Sequence, residues 1–189
     1  GIKANAYLVT TNAAGWASFC AAENTTLSGE AKTYVCTAVD NDIVTLEPVT
    51  HIPANEGVFI KGEPNATYQI APAETGDAVS INLIKGCLTA TTLAGTEGAY
   101  ILGVKNGEAG IYQVTSSITV PAGKAYLQPA TTGLAKFLSI AFPGSTTAIE
   151  GIEADGKISS ANKKYNLTGQ RTESKQGIII MDGKKYIIK

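Results

Sequence analysis

The sequence predicts an all-β protein, an antiparallel β-sandwich or distorted barrel built from two similar β units, plus a small C-terminal hairpin. Charged residues make up only 16% of the 189 residues, against about 25% in an average soluble domain. The chain has 20 glycines, and β-branched residues are frequent throughout. β-Branched residues suit pleated sheets and glycine suits the turns between strands, so this composition is typical of a turn-rich β protein.

Two related proline segments predict where the chain turns. Ile52-Pro53-Ala54-Asn55 is echoed by Val120-Pro121-Ala122-Gly123, and an apolar run follows each segment. Proline fixes φ near the value wanted at the second position of a type I turn. Asn and Gly tolerate the left-handed conformation that closes such a turn with a bulge. We therefore predict a β-hairpin corner at each segment.

The proline segments belong to a longer internal repeat of about residues 7–61 and 75–128. Residues 100–104 mirror residues 34–38, and residues 111–114 mirror residues 43–46. Between them, residues 106–110 read as a longer version of the polar turn at residues 40–42. Two β units that cover each other's apolar faces form a sandwich or a distorted barrel.

Most individual strands are predicted from short β-rich runs bounded by turn residues. Residues 23–32 are predicted to form a surface loop. Pro48 is expected either to weaken the strand that follows Leu46 or to place its own backbone nitrogen at a sheet edge. Residues 78–98 are ambiguous between a strand and a short helical turn. The predicted strands are residues 6–10, 16–20, 34–39, 43–46, 57–61, 68–70, 100–104, 111–114 and 134–142.

A change of pattern predicts a domain boundary near Pro143 and Gly144, giving a main domain of residues 1–143 and a tail of residues 144–189. The strand before it, residues 134–142, is the longest predicted and places Leu138 on an apolar face. The tail contains Asp182-Gly183 between two β runs, the preferred sequence for a type I′ hairpin. Residues 165–171 add a third short strand.

Charge and hydropathy argue against two classes of partner. The formal net charge is −1, whereas nucleic-acid binding depends on clustered Lys and Arg that neutralise phosphates. No apolar run reaches the roughly 18 residues of a transmembrane segment. The chain opens at Gly1 without a signal peptide, so it is expected to be either a mature or trimmed form or a protein that is not exported.

The three cysteines, Cys20, Cys36 and Cys87, are predicted to be buried free thiols. Cys20 and Cys36 lie in apolar, strand-like runs, where a thiol behaves as a small hydrophobe. The alternative is one disulfide between Cys20 and Cys36. Their spacing matches no zinc ligand set, and no metal or cofactor is predicted.

No catalytic, cofactor-binding or metal residue is predicted. His51 is the single histidine, so any histidine-dependent nucleophile would need it as its base. Asp40 and Asp42 flank Asn41 and could bind calcium, although plain turn formation explains them as well. Trp16 is expected in the core, whereas Tyr112 and Tyr126 are candidates for exposed sugar-binding platforms.

Two regions resemble parts of secreted and surface proteins of Bacteroidetes. The tail motifs, residues 165–171, 177–180 and 183–189, resemble the C-terminal sorting domains of the type IX secretion system, although the tail is shorter than such a domain. Residues 15–20, 34–35, 44–46 and 52–58 resemble an uncharacterised β-rich module found beside leucine-rich repeats. The resemblance implies a secreted or outer-membrane surface location, and it carries no catalytic residues.

Three functional hypotheses follow. The first is a non-catalytic exported module for adhesion, display or assembly at the bacterial cell surface, with other surface proteins or glycans as partners. The second is a carbohydrate-binding accessory module of a secreted glycan-degrading system, which needs exposed aromatic side chains on one sheet face. The third is a hydrolase, which needs a pocket lined by convergent carboxylates or by His51 with an acid. The oligomeric state is left open.

Overall fold

A computed structural model describes residues 6–105, 108–142, 177–181 and 184–188. The chain divides into two compact units, Gly1–Gly144 and Ser145–Lys189. The described residues contain strands and turns but no helix, which confirms the all-β prediction. The predicted domain boundary at residues 143–144 lies outside the described residues.

The first unit contains fifteen of the described strands. Most are three to seven residues long, and Lys32–Asp40 is longer because a bulge between Cys36 and Ala38 lets it bend without losing its partner. The strands are β1 Tyr7–Thr10, β2 Trp16–Phe19, β3 Thr25–Leu27, β4 Lys32–Asp40, β5 Ile43–Val49, β6 His51–Ile52, β7 Val58–Lys61, β8 Thr67–Pro72, β9 Ile84–Cys87, β10 Thr91–Leu93, β11 Tyr100–Lys105, β12 Glu108–Gln113, β13 Ile118–Val120, β14 Lys124–Leu127 and β15 Phe137–Ala141.

Nine of these strands form one large sheet that nearly closes on itself. Its order is β2-β7-β4-β5-β15-β12-β11-β14-β9, and every pairing is antiparallel except that of β15 with β5. The two ends of the sheet approach each other at a seam. There the Cys20 N–H, just after β2, donates to the Gly123 carbonyl, just before β14 (3.1 Å), and Glu56, before β7, bridges to Lys85 on β9. Closure of this kind protects sheet edges from unwanted pairing.

Two smaller sheets pack outside the large one. The order of the first is β1-β8-β3-β6, and the second contains only β10 and β13 among the described strands. The barrel interior holds the largest core cluster, with Phe59, Tyr100 and Leu138 nearly inaccessible. A second cluster, including Ile60 and Ile70, lies beneath the four-stranded sheet, and a third, including Leu93, lies beneath the two-stranded sheet.

The strands of residues 16–61, here called the first half, pair in the same way as those of residues 84–127, the second half. In the first half, β2 pairs with β7, β7 with β4, and β4 with β5. In the second half, the equivalent strands pair in the same order: β9 with β14, β14 with β11, and β11 with β12. In the second half β10 pairs with β13, as β3 does with β6 in the first. β3 and β10 even share the sequence Thr-Thr-Leu.

The two proline segments adopt matching turns, but neither is a hairpin. The Glu56 N–H donates to the Pro53 carbonyl (3.3 Å) and the Lys124 N–H to the Pro121 carbonyl (3.2 Å), so proline is the first turn residue rather than the second. Asn55 and Gly123, at the third position, have φ of 67° and 78°, as a type II turn requires. Each corner passes the chain from a small sheet to the large sheet, because β6 and β13 pair elsewhere.

Several predicted elements need correction. Residues 23–32, predicted as a surface loop, contain β3, whose strand nature is set by pairing rather than by strong local pattern. Residues 78–98, for which strand and helical turn were both open, contain the strands β9 and β10. The turn after β11 is no longer than that after β4, because Lys105 pairs with Glu108 and residues 108–110 belong to β12. Its two connecting residues lie outside the described residues.

The second unit is described only as a two-stranded hairpin, β16 Gly177–Met181 and β17 Lys184–Ile188. The strands are antiparallel, with Met181 opposite Lys184, which confirms the predicted strands. The predicted Asp182-Gly183 turn and the predicted strand at residues 165–171 lie outside the described residues.

Candidate functional site

His51 lies on β6 and contacts Asp77, which the sequence analysis did not single out. The His51 Nδ1 atom is 3.3 Å from Asp77 Oδ1, and both side chains are partly exposed. Asp77 Oδ2 accepts hydrogen bonds from the backbone N–H groups of Thr50 (2.6 Å) and His51 (3.1 Å). The Asp77 N–H returns a bond to the His51 carbonyl (2.9 Å). The pair therefore joins the connection after β8 to the end of β5 and to β6.

These contacts decide the protonation state of Asp77. The Thr50 N–H, with smaller contributions from His51, lowers the pKa of the Asp77 carboxyl below its ordinary value, against the opposing effect of burial. A carboxyl with a lowered pKa is ionised at neutral pH and cannot act as a general acid, for which a raised pKa is needed.

One surface depression of about 280 Å³ has two carboxylates, Glu47 and Asp77, at its border. His51 does not line it, so the histidine and the second acid do not converge on one cavity. Asp77 is committed to backbone N–H groups, and Thr37 Oγ1 contacts Glu47 (3.5 Å). These contacts fasten the connection after β8 to the neighbouring strands.

The Asp40-Asn41-Asp42 segment is a tight hairpin turn. Asn41 and Asp42 have φ of 49° and 62°, the two positive values of a type I′ turn, and Asp40 pairs with Ile43. Asp42 Oδ1 accepts the N–H of Ala135 (2.7 Å), and the Asp42 carbonyl accepts that of Ser139 (2.9 Å). Among the described residues no group of three or more His, Cys, Asp or Glu side chains could hold a metal ion.

All three cysteines are buried and free, as predicted. Burial raises the pKa of the Cys20 thiol to about 11, with smaller contributions from Cys87 and Glu56. Burial raises the pKa of the Cys36 thiol to about 12, although a backbone hydrogen bond of Ala38 acts in the opposite direction. The thiolate is the reactive form, so neither of these thiols is poised as a nucleophile.

An aromatic pair on the outer surface of the large sheet is the best candidate binding feature. Tyr112 on β12 lies opposite Phe137 on β15, and their ring centroids are 5.2 Å apart with planes tilted by 54°. Phe137 is 40% exposed. Gly103 and Gly110 lie opposite each other beside the pair, and a Cβ on Gly110 would overlap the Phe137 ring. We call Gly103, Gly110, Tyr112 and Phe137 the aromatic face.

The other aromatic candidates serve the core. Trp16 is 5% exposed and stacks on Phe142 (5.9 Å between centroids, 15° between planes), so its predicted burial is confirmed. Tyr126 is half-buried and packs against the third core cluster, so it does not extend the aromatic face.

A polar depression of about 360 Å³ lies at the seam between the halves, with Glu56, Ser80, Asn82 and Lys85 at its border. The Asn82 side chain accepts the N–H groups of Cys36 and Ile84 and donates to Glu56 Oε2 (2.7 Å) and the Gly57 carbonyl (2.9 Å). These bonds use the full capacity of the amide, so Asn82 ties the seam together.

Sequence reasoning found Tyr112 but missed Phe137, Asp77 and Asn82. Side chains alternate between the two faces of the strand at residues 137–141, so Phe137 lies on the face opposite to the buried Leu138. This alternation was a usable signal for an exposed aromatic residue. The partners of His51 and Glu56 depend on non-local folding, and no local pattern marks them.

Comparison of the chain with family models, curated proteins and solved structures gives no match. Within the described residues, no helix is long and apolar enough to cross a membrane.

Proposed function

We propose that this chain is a non-catalytic exported module that serves adhesion, display or assembly at the bacterial cell surface. The observation that carries the proposal is that the side chains capable of acid–base or nucleophilic chemistry are engaged in internal contacts or buried. Asp77 holds His51 and two backbone N–H groups, Asp42 holds the segment before β15, and Cys36 is buried with a raised pKa. Such groups stabilise a scaffold when they are saturated by internal partners.

The surface location rests on the resemblance of the tail and of the proline-corner region to Bacteroidetes surface proteins. An antibody against the purified chain should label intact cells that make the protein, and external protease should remove the label without lysis. Labelling that requires permeabilised cells would contradict the proposed location.

The non-catalytic role is tested with panels of chromogenic glycoside, ester and peptide substrates. No turnover is expected from the purified chain at any pH. Turnover that Asp77→Asn abolishes, while Asp40→Asn leaves it intact, would show that the His51 and Asp77 pair is catalytic and would overturn the proposal.

A second candidate function, carbohydrate binding, is favoured by the aromatic face. An exposed ring such as Phe137 can pack against the apolar face of a sugar. Affinity gels containing different polysaccharides would test this. Retardation that Phe137→Ala abolishes supports the candidate, and Leu88→Ala is the control because Leu88 is 47% exposed elsewhere. Unchanged migration on every polysaccharide would count against it.

A further inference from the structure

The outer edge of β10 differs from its counterpart in the first half. β3 pairs with β6 on one side and with β8 on the other, in the register Leu27 to Ile70, Thr26 to Ala71 and Thr25 to Pro72. β10 pairs with β13 on the corresponding side, and no described residue pairs with its other edge. The strand that follows the second half, β15, joins β5 and β12 instead.

The two edges match in sequence and backbone geometry. Residues 25–27 and 91–93 are both Thr-Thr-Leu, and the glycines two residues later, Gly29 and Gly95, have φ of 99° and 89°. Because both strands are held by equivalent partners, Thr92 occupies the position of Thr26.

The pattern of hydrogen bonds shows which groups face outward. The Ser28 N–H donates to the Gln69 carbonyl (2.9 Å) and the Ala73 N–H to the Asn24 carbonyl (2.8 Å), so residues 24, 26 and 28 direct their backbone groups toward β8. Successive residues of a strand alternate between its two edges. By equivalence, the N–H and carbonyl of Thr92 point to the open edge of β10.

A carboxylate occupies a backbone donor at the end of this edge. The Ala94 N–H, equivalent to the Ser28 N–H that bonds β8, donates instead to Glu97 Oε2 (3.1 Å). Charged side chains at sheet edges are a common device against indiscriminate strand pairing. The core beneath β10 differs in the same way from the core beneath β3. Ile70 of β8 and Val9 of β1 belong to the second cluster, whereas no equivalent strand contributes described residues to the third cluster.

We propose that the open edge of β10 binds an extended segment of a partner polypeptide as an added antiparallel strand. The chemistry of β8 defines this segment: an apolar residue opposite Leu93, a small residue opposite Thr92 and tolerance of proline opposite Thr91. Strand addition draws affinity from main-chain hydrogen bonds and specificity from alternate side chains. The inference goes beyond the proposed function, because it stands whether or not the aromatic face binds a glycan.

The test uses the full chain and an end-capped fluorescent peptide of sequence Thr-Tyr-Gln-Ile-Ala-Pro, copied from residues 67–72. Anisotropy should show saturable binding, and amide exchange at Thr92 should slow when the peptide is bound. Thr92→Pro removes the outward N–H, which an edge strand tolerates, and should weaken binding about tenfold. Thr92→Val keeps the N–H and should bind like the natural chain.

Two further variants separate binding from folding damage. Glu97→Ala frees the Ala94 N–H and should tighten binding about threefold, an effect that loss of structure would not produce. Thr26→Pro should lower the melting temperature because its N–H faces β8, whereas Thr92→Pro should leave it nearly unchanged.

Four results would overturn the proposal. The first is equal binding by the natural chain and Thr92→Pro, and the second is no binding at millimolar peptide. The third is strong protection of the Thr92 amide in the free monomer, which would show that the chain covers its own edge. The fourth is self-association that Thr92→Pro abolishes, which would assign the edge to a second copy.

Discussion

The two halves of the barrel share their strand connections but differ in what surrounds them. Beside the first half, β8 and β1 extend the outer sheet formed by β3 and β6, and Ile70 and Val9 are buried in the second cluster. In the second half the outer sheet has two described strands, and Glu97 caps the backbone at its edge. The same six-strand pattern therefore tolerates two kinds of outer layer. The barrel interior is the common requirement, because both halves supply fully buried residues to it, Phe59 and Leu127 among them.

The largest expected effect concerns β8, which extends the outer sheet of the first half and has no counterpart among the described strands of the second. Ile70 is fully buried, so Ile70→Ala should lower the free energy of unfolding by about 2–5 kcal/mol through lost burial and a residual cavity. Urea denaturation measures this. Leu8→Ala, on the neighbouring β1 at a side chain 60% exposed, is the control and should change stability by less than about 0.5 kcal/mol. Equal effects would mean that β8 contributes no core.

The seam offers a sharper comparison, because equivalent positions carry Cys20 in one half and Gly86 in the other. A Cβ on Gly86 would overlap the Cys20 Sγ atom. Gly86→Ala should therefore destabilise the protein by about 1–3 kcal/mol through overpacking.

Combining Gly86→Ala with Cys20→Gly exchanges the large and small residues across the seam. The double variant should be more stable than the sum of the two single effects predicts, because the clash is removed. Additive effects in urea denaturation would show that the two positions do not share this space.

The corners should respond to backbone geometry alone. Gly123 has positive φ, and the nearest atom to an added Cβ is the Cys20 carbonyl oxygen at 3.9 Å, so there is space for a side chain. Gly123→Ala should cost about 1–2 kcal/mol from the left-handed conformation, whereas Gly123→Asn should cost less. Asn55→Gly, the reverse change in the first half, should be nearly neutral by thermal denaturation. A large loss from Asn55→Gly would indicate that its side chain matters beyond φ.

The smallest effect is the pH dependence of the Asp77 contacts. Because the pKa of Asp77 is lowered in the folded state, its stabilisation is complete above the ordinary value of 3.8 and is lost as pH falls below it, through the folded-state pKa. The unfolding free energies of the natural chain and Asp77→Asn should differ by less than about 1 kcal/mol at pH 7, since the group is partly exposed, and converge near pH 2. A difference that grows as the pH falls below 3.8 would contradict the assigned direction. Asp40→Asn, at the exposed end of β4, is the control.

The features that sequence predicted were those set by local chemistry. The hairpin at Asp40, the apolar face that includes Leu138 and the left-handed residues Asn55 and Gly123 all follow from residue types within a few positions. The turns follow from the φ preferences of single residues, and the apolar strand face follows from the alternation of side chains along a strand. Neither depends on distant partners.

What sequence could not predict depends on pairing between distant segments. β3, three residues within a polar stretch, is a strand only because β6 and β8 lie on its two sides. The proline corners looked like hairpins because an apolar run enters and leaves each one, but the flanking strands belong to different sheets. The contact of His51 with Asp77 likewise arises from the path of the chain after β8.

The placement of β15 has a consequence for how the protein is made. β5 and β15 pair in parallel across a separation of about a hundred residues, a non-local contact of the kind that slows folding. A chain emerging from the ribosome would complete β5 long before β15 is synthesised. The edge of β5 that pairs with β15 would therefore stay exposed until synthesis passes Ala141. Nascent chains stalled just before Phe137 should therefore bind holdase chaperones, and release from them should coincide with synthesis of the last barrel strand.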